Sequence, residues 1–342
     1  MKSVLALVAA IAMVLGAIAV RNRMDDKPTL GGEPTRMKLT CATELAAACE
    51  AMAADDLDVI VEPASDTAER LTGLPDGARA GLDGWLVPAP WPQIVAEARQ
   101  RAGRTTVLAA PSAAIGRTPV VVVAWRERAA VLERSCKTPV GWRCIGDAAR
   151  AQTWKTLGGN ELWGPFKPFH ADATREASGL VTAAAAAVSF LGRTDFSSAD
   201  LDEDAFTDWY SELERSLPPT RSTGAAAVQE TLATGPSVYD VVGAFESEAQ
   251  PLVAASARRG ELQVIYPSPM VTADAVLAGA ARGGRIDDLA RLVTGEEGRR
   301  SLADSGWRVE GRPTVGPPLP PGNGLPSPGA LEALRLKTKE IR

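Results

Sequence analysis

The sequence predicts an α/β protein, and three observations carry that expectation. Short apolar runs alternate with helical stretches through brief connections from Met37 to Trp125. The stretch Arg221–Pro267 repeats the order helix, strand, helix, strand. At 342 residues, 45% hydrophobic and 23% charged, the chain has the composition and length of a globular protein with room for two domains.

Lys2, an apolar run from Val4 to Val20, then Arg21 and Arg23 read as an export segment over 1–20. The run is at the short limit for a membrane span. Ala17-Ile18-Ala19 offers a cleavage site, and cleavage and retention as an anchor both stay open. No cysteine lies near it, so a lipid-anchored lipoprotein is not expected. Residues 21–36, with Pro28, Gly31, Gly32 and Pro34, read as a linker.

Met37–Cys41 is expected as the first strand, with Thr43 starting a helix through Ala54. Leu57–Val61 and Leu82–Val87 follow as strands, with a helix after each. Thr105–Ala110 and Pro119–Trp125 read as two more. The alternation loosens from Arg126 to Lys155, where short helices and a cysteine loop are expected. Phe166–Ala171 reads as a strand and Leu180–Phe190 as an alanine-rich helix. Asp195–Leu217 reads as a helix with Phe206, Trp209, Tyr210 and Leu213 on its core side. A helix over Ala225–Ala233, the apolar run Val238–Phe245, another helix and the strand Leu262–Tyr266 come next. Ala273–Ala281 and Ile286–Asp304 read as helices. A proline-rich tail and a short helix with Leu331, Leu334 and Leu336 on its apolar side end the sequence.

The formal net charge of -5, with no basic block, argues against a nucleic-acid partner. A single histidine, His170, no nucleophile elbow and no metal motif argue against an enzyme, and no cofactor is expected. Four cysteines fit an oxidising compartment. Cys136 and Cys144 flank a turn-forming loop and are expected to bond, which stabilises by about 2.5 kcal/mol in the chain-entropy model. Cys41 and Cys49 can pair only if the chain folds back between them, because eight residues of helix span roughly 12 Å. A bond and two buried thiols both stay open there.

The order of several segments resembles the type 2 periplasmic binding proteins, the extracellular solute-binding proteins of ABC importers, in their molybdate-binding-like branch. The resemblance rests on Lys38–Met52, Asp83–Pro88, Thr174–Leu180, Gly243–Ser247, Leu262–Pro267 and Leu292–Arg299 with Gly306-Trp307. It implies two lobes, each a mostly parallel sheet flanked by helices, joined by two crossover strands and closing on a solute by hinge motion. The first lobe would be 37–124 with 268–311, the second 125–267, and 312–342 a tail with its terminal helix. The ligand would lie in the inter-lobe cleft, where helix starts present free N–H groups. Thr43 and Glu44, Ser65 and Asp66, Ser178 and Gly179, and Ser222 and Thr223 sit at such starts, and simple capping explains each equally well. Arg221 could bridge an anion; Glu246 and Tyr266 lie at strand ends, Glu246 as ligand acceptor or hinge ion pair. The acidic residues suit a ligand with an amine, or an anion bridged by Arg221, so an anion or a zwitterion is expected as solute. The implied function is capture of a small solute for ABC-type transport or sensing, with a permease or another envelope protein as partner and the membrane as an anchor if 1–20 is uncleaved. The alternative is an envelope interaction or signalling domain that keeps the fold without transporting.

Overall fold

A computed structural model describes residues 36–136, 139–282 and 285–342. The expected export segment and most of the linker lie outside the described residues. Among the described residues eight strands form: β1 (Met37–Ala42), β2 (Leu57–Glu62), β3 (Gly84–Pro88), β4 (Gly116–Trp125), β5 (Pro168–His170), β6 (Val241–Phe245), β7 (Leu262–Ile265) and β8 (Thr272–Gly279). They hydrogen-bond in the order β2-β1-β3-β8-β4-β6-β5, with β7 also on β4.

β4 ties the two ends of this sheet together. Its first half, Gly116–Pro119, pairs with β8, and its second half, Val120–Trp125, pairs with β6 and β7. The run is apolar throughout because both faces are covered. Val120, Val122 and Ala124 enter one core, while Val121, Val123 and Trp125 enter a second with Phe169, Val228 and Val242. The outer pairs β1–β2, β1–β3 and β5–β6 are parallel, as expected. Every pair made by β4 or β8 is antiparallel, because both strands cross between the two ends of the sheet and run against their neighbours.

Helices flank the sheet. In the β1–β4 part they are α1 (Ala46–Ala51), α2 (Ala64–Gly73) and α3 (Trp91–Arg101). Beyond β4 come α4 (Arg126–Ser135), α5 (Trp142–Ala151), α6 (Ala177–Leu191), α7 (Ser198–Leu201), α8 (Asp204–Ser216), α9 (Gly224–Thr234) and α10 (Glu246–Ala255). After β8 follow α11 (Ile286–Thr294), α12 (Glu296–Asp304) and α13 (Pro328–Ile341). Phe206, Trp209, Tyr210 and Leu213 of α8 are buried, as their spacing predicts. His170 is structural: its Nε2 lies 3.0 Å from Glu214 Oε1.

The last helix and the segment before it cross the molecule. Arg117 of β4 donates to the carbonyl of Pro320 at 3.2 Å, and the Thr272 amide of β8 donates to Asn323 O at 2.8 Å. α13 then packs on α3 and on α6, α7 and α8. Tyr210 and Thr338 share a buried hydroxyl contact at 2.6 Å, and Arg342 Nε donates to Glu214 Oε2 at 2.9 Å.

Several expectations need correction. Ala273–Ala281 is not a helix: most of it is β8, inserted between β3 and β4, so pairing overrides the helix preference of alanine and leucine. Leu108 makes only an isolated bridge to Ala280 in place of the strand expected over Thr105–Ala110. Ile286–Asp304 is two helices broken at Gly295, and Leu336 is exposed while Leu331 and Leu334 are buried. Both disulfides form. Cys136–Cys144 is the expected one. Cys41 and Cys49 pair because the chain turns back through Thr43–Leu45 into α1, which leaves their Cα atoms 6.6 Å apart. Among the described residues no helix is long and apolar enough to cross a membrane.

Candidate ligand-binding cleft

The turn after β1 meets the starts of α6, α9 and α10 across the middle of the molecule. Ser178 at the start of α6 donates its backbone N–H to Glu44 Oε1 at 2.6 Å. The Ser65 amide at the start of α2 donates to Arg175 O at 3.1 Å, and Asp66 pairs with the Arg175 guanidinium at 3.6 Å. A cavity of about 330 Å3 remains beside these contacts. Thr43, Glu44, Ala46 and Ala47 line it from one side, and Thr223, Ala225, Gln229, Ser247, Glu248, Pro251 and Leu252 from the other. Asp304 and Ser305 at the end of α12 complete it. A larger groove of about 800 Å3 follows β2, but it is the open edge of the sheet, lined by Lys38, Glu50, Asp58 and the apolar residues of β2.

Glu248 is buried by a local device. Its Oε2 accepts from Phe245 N at 3.0 Å and its Oε1 from Ala225 N at 3.3 Å. Gly224 makes room for it, since a Cβ there would stand 2.6 Å from Glu248 Oε2. Burial, then the charge of Glu44, pushes this carboxyl up to about 8. Burial and then the same neighbour push Glu176, next to α6, up to about 7. Burial also raises Glu44 above the usual carboxyl range, against the pull of the Ser178 amide. The buried Glu176 and Glu248 and the half-buried Glu44 therefore feel one another across the cleft. Coulomb repulsion between them is relieved by protons or by a cation.

Of the residues expected from the sequence, Thr43, Glu44 and Thr223 line the cavity. Thr223 also caps α9, accepting from Ala226 N at 3.2 Å. Ser65, Asp66 and Ser178 stand in the adjoining contacts and do not border the cavity. Gly179 serves packing: a Cβ there would come within 2.5 Å of Ala171 O. Arg221 is exposed and off the cavity, because it precedes the cap of α9 on the outer loop. The Ser222 amide turns to Thr220 Oγ1 at 3.2 Å. Glu246 and Tyr266 meet each other. Arg308 Nε donates to Glu246 Oε1 at 2.7 Å and the Tyr266 hydroxyl to Oε2 at 2.6 Å, a buried ion pair in place of ligand acceptors. Glu176, Ser247, Glu248, Gln229 and Asp304 escaped sequence reading. The only local sign was Glu248 at the third position of a helix that follows an apolar strand.

No protein-family model matches the sequence, and no curated protein matches it. Solved structures do. Iron-bound HitA from Pseudomonas aeruginosa superposes with a TM-score of 0.56 at 16% identity, over 89% of this chain and 99% of that one. The ferric binding protein from Campylobacter jejuni gives 0.54 at 10% identity, over 90% and 97%. A periplasmic thiamin binding protein gives 0.52 at 11%, over 91% and 98%. The molybdate-like placement within this group rests on the sequence resemblance alone.

Proposed function

From the two-lobed type 2 periplasmic-binding-protein fold that this chain has, we propose that it is an extracytoplasmic solute-binding protein. It holds a small solute between its lobes and hands it to an ABC-type permease or to a sensing partner. The reading is of a binding protein and not of an enzyme. One observation carries it: the 330 Å3 cavity is walled by Thr43, Glu44, Ala46 and Ala47 on one side and by the starts of α9 and α10 on the other, which this reading assigns to different lobes. Ligands of open α/β folds settle at such carboxyl ends of strands. Both disulfides fit an oxidising compartment outside the cytoplasm. The resemblance implies a hinge near Val123–Arg126 and Ile265–Ser268; we place it instead where β4 changes partners, near Pro119–Val120, and in the return from β7 to β8. The neighbours bind iron and thiamin by their descriptions, so the fold alone leaves the solute open.

The test is the melting temperature of the full chain against oxyanions, amino acids, sugars, polyamines and metal salts. A solute at a hundred times its dissociation constant stabilises by about 2.7 kcal/mol, or a few degrees. Silence across the panel would count against solute binding.

A second reading has two observations in its favour. α13 packs on helices of both lobes, and Glu44 already occupies the start of α6. Such a molecule resists opening, as an envelope interaction domain that no longer transports would. X-ray scattering separates the two: a change in radius of gyration with solute supports transport, and an invariant closed form with no solute supports the interaction domain.

A further inference from the structure

The lining of the cleft narrows the chemical class of its solute. Glu44 comes from the turn after β1, Glu248 from α10 and Asp304 from the end of α12, so three elements each bring a carboxyl to one cavity. No lysine or arginine is among the described residues lining it. Ser247 borders the same space, is 7% exposed, and its Oγ has no hydrogen-bond partner. The buried Glu44 Oε2 has none either. Two acceptors without donors, in a cavity without a cation, call for a ligand that brings both. A metal ion fits less well. No group of three ligating side chains converges among the described residues, and Glu44 and Glu248 already spend oxygens on backbone N–H groups. Pro251 and Leu252 add an apolar wall suited to carbon.

We propose that the cleft selects a small organic cation, whose ammonium donates to Glu44 Oε2 and Ser247 Oγ while its carbon skeleton lies on Pro251 and Leu252. This rests on the solute-binding reading and adds the charge class to it. The charged groups around Glu248 are Glu44 and Glu176, and Glu176 in turn feels Arg175 and Asp66. Asp304 stands exposed at the rim. Because Glu248 holds its proton up to about 8, the arriving cation displaces that proton at neutral pH, and binding tightens as pH rises.

Calorimetric titration of the full chain tests this with putrescine and n-butylamine, against sulfate, citrate, glycerol and calcium chloride. At least one of the two cations is expected to bind, about tenfold more tightly at pH 8.5 than at 6.5. Glu44→Gln is expected to weaken it about tenfold or more. Ser247→Ala, which leaves the Glu44 contact with Ser178 in place, is expected to weaken it several-fold, and it keeps the test alive if the first variant misfolds. Silence of both cations overturns the assignment. Sulfate or citrate binding without them leaves a solute-binding protein of the opposite charge class. Calcium alone would make the site a metal centre, and unchanged affinity in both variants would place the cation elsewhere.

Discussion

Glu248 stores a proton in the resting protein. Its value of about 8 lies above the ordinary 4.5, so the native state keeps a proton that the unfolded chain loses between those values. Stability is therefore expected to fall as pH rises through that window, and Glu176, at about 7, adds to the trend. Urea midpoints of the native chain should drop from pH 5 to 8.5, and Glu248→Gln should flatten the drop. An equal slope in both proteins would mean that the carboxyl is ionised in the native state. Arg308 behaves differently. Arg308→Ala leaves the buried Glu246 without its counter-charge, though the Tyr266 hydroxyl still donates to it, and a loss of about 3–5 kcal/mol is expected in urea denaturation. Full stability in that variant would show that the pair is not the anchor of the crossover. The sequence pointed to Glu246 and Tyr266 as polar residues at strand ends, which they are. It could not name their partner, because Arg308 is 62 positions further on and nothing local joins them.

At the scale of elements, strands with strong patterns were legible and strands of small residues were not. β4 is a run of valines and needs no context. β8 reads Thr-Ala-Asp-Ala-Val-Leu-Ala-Gly, a helix former by composition, and becomes a strand only because β3 and β4 leave a gap for it. The candidate cleft was half legible for a related reason: helix starts can be found locally, but which of them face each other is decided by the crossover. The turn between β1 and α1 is closed by Cys41–Cys49. Replacing both cysteines with serine is expected to cost about 2.5 kcal/mol, read from urea midpoints, and to weaken the cleft by freeing Glu44. A loss near zero would mean that the turn holds itself. In α13, Leu334 is wholly buried, and Leu334→Ala is expected to cost about 2–5 kcal/mol by the same measurement. A cost below 1 kcal/mol would mean that the helix is only loosely docked.

At the scale of the molecule, the packing of α13 on α3 and on α6, α7 and α8 bears on the proposed opening of the cleft. Removing 328–342 deletes the contacts of α13 with α3 and with α6, α7 and α8. The shortened chain is expected to show a larger radius of gyration without solute than the full chain, and a larger contraction with it. Identical scattering from both would mean that the helix merely rests on the surface.

The position of β8 also bears on synthesis. Arg117 of β4 meets Asp274 of β8 across 157 positions of sequence. When the first four strands have left the ribosome, the place between β3 and β4 is still vacant, and two strand edges stay unpaired until the chain has grown to Gly279. The early half cannot complete its sheet alone. A growing chain in that state is both slow to fold and prone to wrong pairing. Under the proposed extracytoplasmic role, a chain delivered unfolded could close this sheet only after its late strand had followed the early ones to the other side.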